Sequence, residues 1–224
     1  MSQPYPHAIL FDLDGTLLDS APDFFGVVNS LRQELGKAPL ATATIRQQVS
    51  NGGAALTEIT WEVSRDHPEF GDYREQLLSR YGDYLASASA LFPGFSAVLD
   101  ELQLLGVQWG IVTNKPRRFA EPLLEKLALE TPVLVCPEDV SLAKPDPASL
   151  LLAATRLGLK PEACWYVGDH LRDIQAGKAA GMPTIAALFG YIEDHDDPQR
   201  WQADACINTP DELITLLGQQ PLSR

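Results

Sequence analysis

Long apolar segments are missing from this chain of 224 residues. No run approaches the roughly 18 consecutive apolar residues that a membrane-spanning helix requires. The first ten residues, MSQPYPHAIL, also lack the basic region and the apolar segment of a secretory signal peptide. We therefore expect a cytoplasmic protein that has no membrane partner.

Cysteine and basic residues are also scarce. The three cysteines, Cys136, Cys164 and Cys206, lie far apart, and their spacing matches neither a disulfide framework nor a structural zinc site. Lysine and arginine total 17 against 30 aspartate and glutamate residues, which gives a formal net charge of -13. Because such a surface repels phosphate backbones, we expect no nucleic-acid partner. An anionic substrate would need a local positive charge or a metal ion.

Five short apolar segments rich in β-branched and aromatic residues predict buried strands. They span residues 8–11, 107–112, 133–135, 165–167 and 184–186. Their apolar character is continuous rather than alternating, which is typical of a parallel sheet covered on both faces. Helical periodicity fills the gaps between the strands from about residue 95 onward. This alternation predicts an α/β fold with a doubly wound, Rossmann-like parallel sheet.

Residues 21–90 interrupt the alternation of strands and helices. They contain no convincing strand, and apolar residues recur at helical spacing within residues 24–35 and 73–85. The segment directly follows the first predicted strand. We therefore predict a helical cap at residues 20–90, inserted into an α/β core made of residues 1–19 and 91–224.

The first predicted strand ends in two carboxylates one residue apart, Asp12 and Asp14, followed by Gly15. In an open parallel sheet the ligand lies beyond the carboxyl ends of the strands, so this sequence marks the active edge. A calcium loop of the EF-hand type would need glycine at its sixth position and glutamate at its twelfth, and the sequence supplies neither. A purely structural pair of aspartates at a turn is the remaining alternative.

Polar side chains also follow the later strands. They are Thr113, Asn114 and Lys115 after one strand, Lys144 in the loop after the next, and Asp169 and Asp173 after a third. Right-handed crossovers place these strand ends on one edge of the sheet. The Thr113 hydroxyl and Lys144 therefore converge there with four carboxylates, those of Asp12, Asp14, Asp169 and Asp173. Carboxylates bind Mg²⁺ through hard oxygen ligands, and the metal and a lysine offset the charge of a phosphate. The set therefore suits phosphoryl transfer.

Four ordered motifs resemble those of the haloacid dehalogenase superfamily of phosphohydrolases. They are Asp12-x-Asp14-Gly15-Thr16, Thr113-Asn114, Lys144-Pro145 and Gly168-Asp169-x-x-x-Asp173. The resemblance covers nearly the whole chain, including a helical cap inserted after the first motif.

The resemblance implies a role for each residue of these motifs. Asp12 would be the nucleophile that becomes an aspartyl phosphate, and Asp14 the general acid and base. Thr113, Asn114 and Lys144 would bind the phosphoryl group. The implied cofactor is Mg²⁺, and its implied ligands are Asp12, the backbone carbonyl of Asp14 and Asp169, with Asp173 binding it either directly or through water.

Longer strings resemble particular branches of the superfamily. Val112-Thr113-Asn114-Lys115-Pro116 and Tyr191-Ile192 resemble phosphoglycolate phosphatases, whereas Arg118-Phe119-Ala120-Glu121-Pro122 and Trp201-x-Ala203-Asp204 resemble bacterial N-acetylmuramic acid 6-phosphate phosphatases. The resemblance therefore implies a small phosphate ester as substrate. N-acetylmuramic acid 6-phosphate is the first expectation and 2-phosphoglycolate is the alternative.

Other chemistries share this fold. A haloacid dehalogenase proper lacks a carboxylate two positions after its nucleophile, so Asp14 favours phosphoryl transfer. A phosphonatase needs a Schiff-base lysine in the cap, where Lys37 is the one lysine and lies at a predicted helix end. A sugar phosphomutase and a catalytically silent binding protein remain alternatives, because a fold does not by itself fix a function.

Residues that select the leaving group are expected in the cap, because the core motifs already serve the phosphoryl group. Residues 50–53 form the candidate loop. Asn51 offers a donor and an acceptor, and Gly52 and Gly53 permit a close approach of the backbone to a ligand. A plain turn between two cap helices is the alternative interpretation of this loop.

Cations near the predicted seam between cap and core are candidates to pair with a carboxylate of the substrate. Both candidate substrates carry a carboxylate, and Arg46 or Lys115 is the expected partner for it, although either residue would equally suit a solvated surface. The acidic residues 193–197 predict a solvated loop rather than a metal site.

Overall fold

The computed structural model describes residues 5–218. Its strands, numbered in chain order, are β1 (Ala8–Phe11), β2 (Leu18–Asp19), β3 (Ala90–Leu91), β4 (Gln108–Val112), β5 (Leu134–Val135), β6 (Cys164–Gly168), β7 (Thr184–Ala187) and β8 (Ala205–Ile207). Within the described residues, six of them form one parallel sheet in the order β5-β4-β1-β6-β7-β8. The predicted α/β fold with a doubly wound parallel sheet is confirmed.

Helices cover both faces of the sheet and build the cap. They are α1 (Ala21–Glu34), α2 (Thr42–Val49), α3 (Gly52–Trp61), α4 (Phe70–Tyr84), α5 (Phe95–Leu105), α6 (Arg117–Lys126), α7 (Ala148–Arg156), α8 (Leu171–Ala180) and α9 (Glu212–Leu217). Helices α5 and α9 share one hydrophobic cluster with the sheet, and α7 and α8 share another. Within residues 5–218, no helix is both long and apolar enough to cross a membrane.

Strand β1 lies in the interior of the sheet, and its four residues are fully buried. Ile9 and Phe11 belong to the cluster that contains α5, whereas Ala8 and Leu10 belong to the cluster that contains α7. Alternate side chains therefore enter opposite hydrophobic layers, as the continuous apolar sequence predicts. Burying a side chain such as Ile9 contributes about 1.5–3 kcal/mol relative to leaving it exposed.

Helices α1–α4 pack against one another in the segment predicted to be the cap, and this group of helices is called the cap below. Phe24 of α1 stacks on Tyr81 of α4, with ring centroids 4.1 Å apart. At the start of α1, the fully buried carboxylate of Asp23 accepts hydrogen bonds from the returning segment. The donors are the backbone N–H groups of residues 86, 88 and 89 and the hydroxyls of Ser87 and Ser89. These bonds fix the path by which the chain re-enters the core.

The two chain crossings between core and cap lie side by side. Strand β2 leaves the core, strand β3 returns to it, and the two pair in antiparallel fashion, with Leu18 opposite Leu91. The boundaries predicted at residues 20 and 90 fall at this strand pair. Residues 1–4 and 219–224, which the same prediction assigns to the core, lie outside the described residues.

Candidate active site

The carboxyl ends of three adjacent strands carry the predicted functional residues. Asp12 follows β1, Thr113 follows β4 and Asp169 follows β6. Because β1 lies between β4 and β6, these strand ends are neighbours. Lys144 comes from the segment between β5 and α7 and reaches the same edge of the sheet, where its Nζ lies 2.8 Å from Asp12 Oδ1.

Asp12, Asp169 and Asp173 form an acidic cluster, in which one carboxylate oxygen from each residue lies within 4.8 Å of the others. Burial raises the pKa of Asp12 to about 6, although the neighbouring Lys144 opposes the shift. Burial and the charges of Asp12 and Asp173 raise the pKa of Asp169 to about 7. Full ionisation of the three carboxylates is therefore unfavourable in free energy unless further positive charge lies beside them. Its buried hard oxygens fit a divalent cation.

The start of helix α8 holds Asp173 in this cluster. The backbone N–H of His170 donates to Asp173 Oδ2 over 3.1 Å, and His170 Nδ1 accepts from the backbone N–H of Arg172 over 3.2 Å. His170 is thus the N-cap of α8. A Cβ on Gly168 would lie 2.3 Å from the Cβ of Asp173, so the close approach of strand and helix requires glycine at this position.

Lys144 connects two members of the acidic cluster. Its Nζ lies 2.8 Å from Asp12 Oδ1 and 2.8 Å from Asp173 Oδ1, and donates to Tyr166 Oη over 2.7 Å. Burial acts to lower the pKa of Lys144, but the charges of Asp12 and Asp173 raise it overall, so the ammonium stays protonated.

Asn114, which the resemblance implies to bind the phosphoryl group, is hydrogen-bonded to the backbone of Lys144. Its Nδ2 donates to the Lys144 carbonyl over 2.9 Å, and its Oδ1 accepts from the Lys144 N–H over 3.1 Å. Both ends of the amide are therefore engaged in holding Lys144 in place. Asn114 also lines the cavity described below.

Asp14 is bonded to one core residue and to one residue at the entrance to the cap. Lys115 Nζ lies 3.0 and 3.2 Å from its two carboxylate oxygens, and the Ser20 hydroxyl donates to Oδ1. Lys115 also faces the Tyr81 ring, with its Nζ 4.8 Å from the ring centroid. The backbone N–H of Lys115 donates to Thr113 Oγ1 over 3.0 Å. Lys115, an expected partner for a substrate carboxylate, is thus already paired with Asp14.

Three donors that the sequence analysis did not identify surround Asp169. Thr16 Oγ1 donates to Oδ1 over 3.0 Å, the Tyr191 N–H donates to Oδ2 over 2.9 Å, and Ser50 Oγ of the cap donates to Oδ2 over 3.1 Å. A Cβ on Gly15, which has φ +85°, would lie 2.2 Å from Asp169 Oδ2. Thr16, Ser50 and Tyr191 all lie within sequence strings that were singled out, but their contacts depend on the folded chain.

A cavity of about 270 Å³ opens between this edge of the core and the cap. Core residues Asp12, Asp14, Thr113, Lys115 and Lys144 line one side. The cap contributes Ser50, Asn51, Gly52, Gly53, Arg74, Leu78 and Tyr81. The loop predicted to select the leaving group is therefore both a turn between α2 and α3 and part of the cavity wall. Arg74 and Tyr81 were not identified from the sequence.

Arg46, the other expected partner for a substrate carboxylate, does not line this cavity in the described part of the chain. Its guanidinium donates to both carboxylate oxygens of Asp19 over 3.0 and 2.9 Å. It also lies over the ring of Tyr191, 5.3 Å from the centroid. The structure thus places Arg46 at the junction of cap and core, bound to an acidic residue of the same chain.

The acidic segment 193–197, predicted to be a solvated loop, contacts the cap. Glu193 Oε1 accepts from Gln48 Nε2 over 3.0 Å and from Asn51 Nδ2 over 3.1 Å, and Asp194 Oδ1 accepts from Gln47 Nε2 over 2.8 Å. The segment therefore joins core and cap at the cavity's edge. The Asn51 amide, which the sequence predicts to contact substrate, donates to Glu193.

Comparison with known proteins places this geometry in a family. A model of the haloacid dehalogenase-like hydrolase family matches residues 6–181. The chain belongs to this family. The resemblance noted in the four sequence motifs is thereby confirmed. Phosphatases of this family generally use a divalent metal ion, which agrees with the acidic cluster of Asp12, Asp169 and Asp173.

Within the haloacid dehalogenase-like family, the chain is similar to phosphatases of two names. It is 42% identical over 214 residues to N-acetylmuramic acid 6-phosphate phosphatase of Pseudomonas aeruginosa PAO1, and the match covers 95% of both chains. It is 42% identical over 211 residues to phosphoglycolate phosphatase of Xanthomonas campestris pv. campestris 8004, covering 93% of this chain and 95% of the relative. The expected enzyme class, a phosphatase, is confirmed.

Solved structures show the same fold. A crystal structure of a predicted phosphoglycolate phosphatase from Haemophilus somnus 129PT matches with a TM-score of 0.83 and 25% identity, covering 96% of this chain and 99% of the other. The agreement includes the cap as well as the core, since nearly all of both chains is matched.

Proposed function

We propose that this phosphatase hydrolyses a phosphate monoester through a covalent aspartyl phosphate on Asp12. The observation that carries the proposal is the position of Lys144 Nζ, 2.8 Å from the carboxylates of both Asp12 and Asp173, at the sheet edge that the cavity exposes. A carboxylate nucleophile beside a fixed cation can attack a phosphate dianion that would otherwise be repelled.

In the first step, an oxygen of Asp12 attacks phosphorus and the bond from phosphorus to the ester oxygen breaks. Asp14 donates a proton to that leaving oxygen. Lys144 holds Asp12 in place and supplies positive charge to the phosphoryl oxygens. Because Thr113 Oγ1 already accepts a hydrogen bond from the Lys115 N–H, its own hydroxyl proton is available to a phosphoryl oxygen.

In the second step, Asp14 takes a proton from water, the water oxygen attacks phosphorus, and the bond to Asp12 breaks. This releases inorganic phosphate and restores both carboxyl groups. The contacts from Lys115 and Ser20 hold Asp14 in one orientation for both proton transfers.

The cofactor we propose is Mg²⁺, held by Asp12, the backbone carbonyl of Asp14, Asp169 and Asp173. When bound, the ion would reduce the repulsion between the carboxylates and the phosphate. The raised pKa values of Asp12 and Asp169 support a site that awaits positive charge. Removal of metal with EDTA should abolish turnover, and Mg²⁺ should restore it. Ca²⁺ should inhibit, because its larger and less strictly octahedral shell would misplace the reacting groups.

The substrate we propose is N-acetylmuramic acid 6-phosphate. Apolar side chains of Phe24, Val49, Leu78 and Phe119 line the cavity beyond its polar floor. A sugar carries C–H faces and methyl groups that cover such a wall, whereas glycolate offers a single methylene. The similarity to the Pseudomonas aeruginosa enzyme supports the same choice, and the similarity to phosphoglycolate phosphatases supports 2-phosphoglycolate as the alternative.

A substrate panel tests both parts of the proposal. Steady-state kcat/KM would be measured with Mg²⁺ for N-acetylmuramic acid 6-phosphate, N-acetylglucosamine 6-phosphate, 2-phosphoglycolate and p-nitrophenyl phosphate. We expect the muramic acid compound to give the highest kcat/KM. A preference for 2-phosphoglycolate would favour the alternative, and the absence of phosphate release from every compound would refute the phosphatase proposal.

A further inference from the structure

The cavity is rich in cations, but most of them are already paired. Lys144 is bonded to Asp12 and Asp173, and Lys115 is bonded to Asp14. These lysines balance the negative charge of the acidic residues around Asp12 and Asp14, a region called the phosphoryl end of the cavity below. They therefore offer little to a second anionic group elsewhere on the substrate.

Two arginines also line the cavity, and they differ in their contacts. Arg172 donates to the backbone carbonyl of Ser50 over 2.8 Å, which fixes the turn between α2 and α3. Arg74 of α4 has neither a hydrogen bond nor an ion pair with any residue of the described chain. Among the cavity's cations in residues 5–218, Arg74 is thus the one available to an external anion.

The position of Arg74 is set by the face of α4 that it shares with two other cavity residues. Arg74, Leu78 and Tyr81 follow one another at spacings of four and three residues, which places them on one stripe of the helix. Arg74 also lies against the cap turn, since its Nε would be 3.8 Å from a Cβ on Gly53. The Arg74 side chain therefore lies along the cavity wall beside Gly53.

Tyr81 contributes a second unpaired group on the same stripe. Its side chain is 1% exposed, and its hydroxyl makes no hydrogen bond of ordinary length within the described residues, although the charge of the neighbouring Lys115 opposes the rise in the Tyr81 pKa that burial causes. A buried hydroxyl without a partner is unfavourable, so a bound molecule that supplies an acceptor or donor would be stabilised by it. The Tyr81 side chain lies near Asp14, because Lys115, which binds Asp14, has its Nζ 4.8 Å from the Tyr81 ring centroid.

We propose that Arg74 and Tyr81 of helix α4 form the binding site for the leaving group. This proposal rests on the proposed phosphatase function. Arg74 binds a carboxylate of the substrate, and the Tyr81 hydroxyl bonds to a polar group nearer the phosphate. Seven residues along a helix span about 10 Å. That separation suits a sugar phosphate whose carboxylate lies far from the ester, and it exceeds the reach of 2-phosphoglycolate.

The Arg74 part is tested by the ratio of kcat/KM for N-acetylmuramic acid 6-phosphate to kcat/KM for N-acetylglucosamine 6-phosphate, which lacks the lactyl carboxylate. Arg74→Gln should lower this ratio by about 10- to 100-fold, because a charged hydrogen bond is lost. Arg74→Lys should restore part of it. The matched control is Arg65→Gln, since Arg65 is also a cap arginine but pairs with Glu58 outside the cavity, and its ratio should equal that of the wild type.

A role of Tyr81 in substrate binding is distinguished from a role in stability by measuring both the melting temperature and kcat/KM of a variant. Tyr81→Phe should keep or raise the melting temperature, because it removes an unpaired buried hydroxyl. The same variant should lower kcat/KM for N-acetylmuramic acid 6-phosphate by about tenfold. A lower melting temperature with unchanged kcat/KM would overturn the role of Tyr81.

Failure of this inference can be separated from failure of the proposed function. An unchanged ratio in Arg74→Gln, in a wild type that hydrolyses both sugars, would overturn carboxylate binding by Arg74 and leave the phosphatase proposal intact. A wild type that releases phosphate from neither sugar nor from p-nitrophenyl phosphate would overturn the proposed function itself.

Discussion

The hydroxyl of Ser50, in the cap, donates a hydrogen bond of 3.1 Å to Oδ2 of Asp169, in the core. A residue of the turn between α2 and α3 thus contacts a residue of the acidic cluster directly. The Ser50 carbonyl also accepts from Arg172, which lies in the first turn of α8. The cap and the candidate metal ligands are therefore linked through one residue, Ser50.

Replacement of Ser50 by alanine should weaken this link. A hydrogen bond to a charged group contributes about 1.5–3 kcal/mol, and exposure of the site to water reduces the loss, so we expect kcat/KM to fall about tenfold. The control is Ser30→Ala, since Ser30 lies in the cap but away from the cavity, where its hydroxyl donates to the Val27 carbonyl and accepts from Arg80. Equal kcat/KM values for the two variants would show that the contact of Ser50 with Asp169 does not affect catalysis.

Replacement of Asp12 by asparagine keeps the shape of the side chain and removes the nucleophile. We expect kcat to fall by about four orders of magnitude or more, because the covalent route is closed. Quenched reactions with labelled substrate should give a phosphoenzyme in the wild type and none in the variant. Asp100→Asn, an exposed change on α5, should keep wild-type turnover. A phosphoenzyme on another residue would contradict the assignment.

Asp169 provides a test of the acidic cluster that does not depend on turnover. The pKa values of Asp12 and Asp169 are raised to about 6 and about 7, so folding favours their protonated forms. Their contribution to stability is therefore fully present below the ordinary pKa near 3.8 and is lost as the pH rises through 6 to 7.

Asp169→Asn removes one charge from this cluster. Without metal, the melting temperature of the variant minus that of the wild type should therefore be higher at pH 8 than at pH 5, by about 2–4 °C or more. Thermal unfolding in EDTA at both pH values measures it. Mg²⁺ should stabilise the wild type at pH 8 and have a much smaller effect on the variant. A pH-independent difference between the proteins would contradict the cluster's repulsion.

The core of the fold could be predicted because its strands are buried on both faces. Residues 8–11 and 165–167 read as continuous apolar runs, and β1 and β6 were found there with a residue or two of difference. Strands β2, β3 and β8 were not predicted. The first two are two residues long, and β8 is a three-residue edge strand with an exposed Cys206, so none has enough apolar pattern to be recognised.

The phosphoryl end of the site was predictable for a related reason. Its residues follow strands directly, so topology alone brings Asp12, Thr113 and Asp169 together. The residues at the cap end of the cavity were not predictable, because the role of an arginine depends on the residues that it faces in the folded chain. Arg46 lies on Asp19, whereas Arg74 is unpaired, and both are arginines of cap helices. The one sequence feature that indicates a cavity position for Arg74 is its spacing, since it lies four residues before the buried Leu78 and therefore on the same face of helix α4.

Tyr191 gives the last prediction, since it joins the core to the entrance of the cap. Its buried hydroxyl accepts from the N–H groups of Ser20 and Ala21 over 2.7 and 2.9 Å, and lies 2.8 Å from Asp19 Oδ1. Burial and the charge of Asp19 raise the pKa of Tyr191, so the hydroxyl keeps its proton and donates it to Asp19. These bonds satisfy the backbone N–H groups of Ser20, the N-cap, and of Ala21, the first residue of α1.

Tyr191→Phe should therefore destabilise the protein by about 2–4 kcal/mol, because it leaves two buried backbone N–H donors without their acceptor and removes one donor to Asp19, which keeps its pair with Arg46. Urea unfolding measures the change in midpoint. Tyr73→Phe is the control, since that hydroxyl bonds to Glu69 at the exposed start of α4, and its loss should cost less than about 0.5 kcal/mol. The backbone N–H of Tyr191, which donates to Asp169, survives the substitution. Mg²⁺ dependence of the folded variant should therefore match the wild type, and a loss of metal response alongside unchanged stability would show that the hydroxyl acts on the acidic cluster instead of the cap.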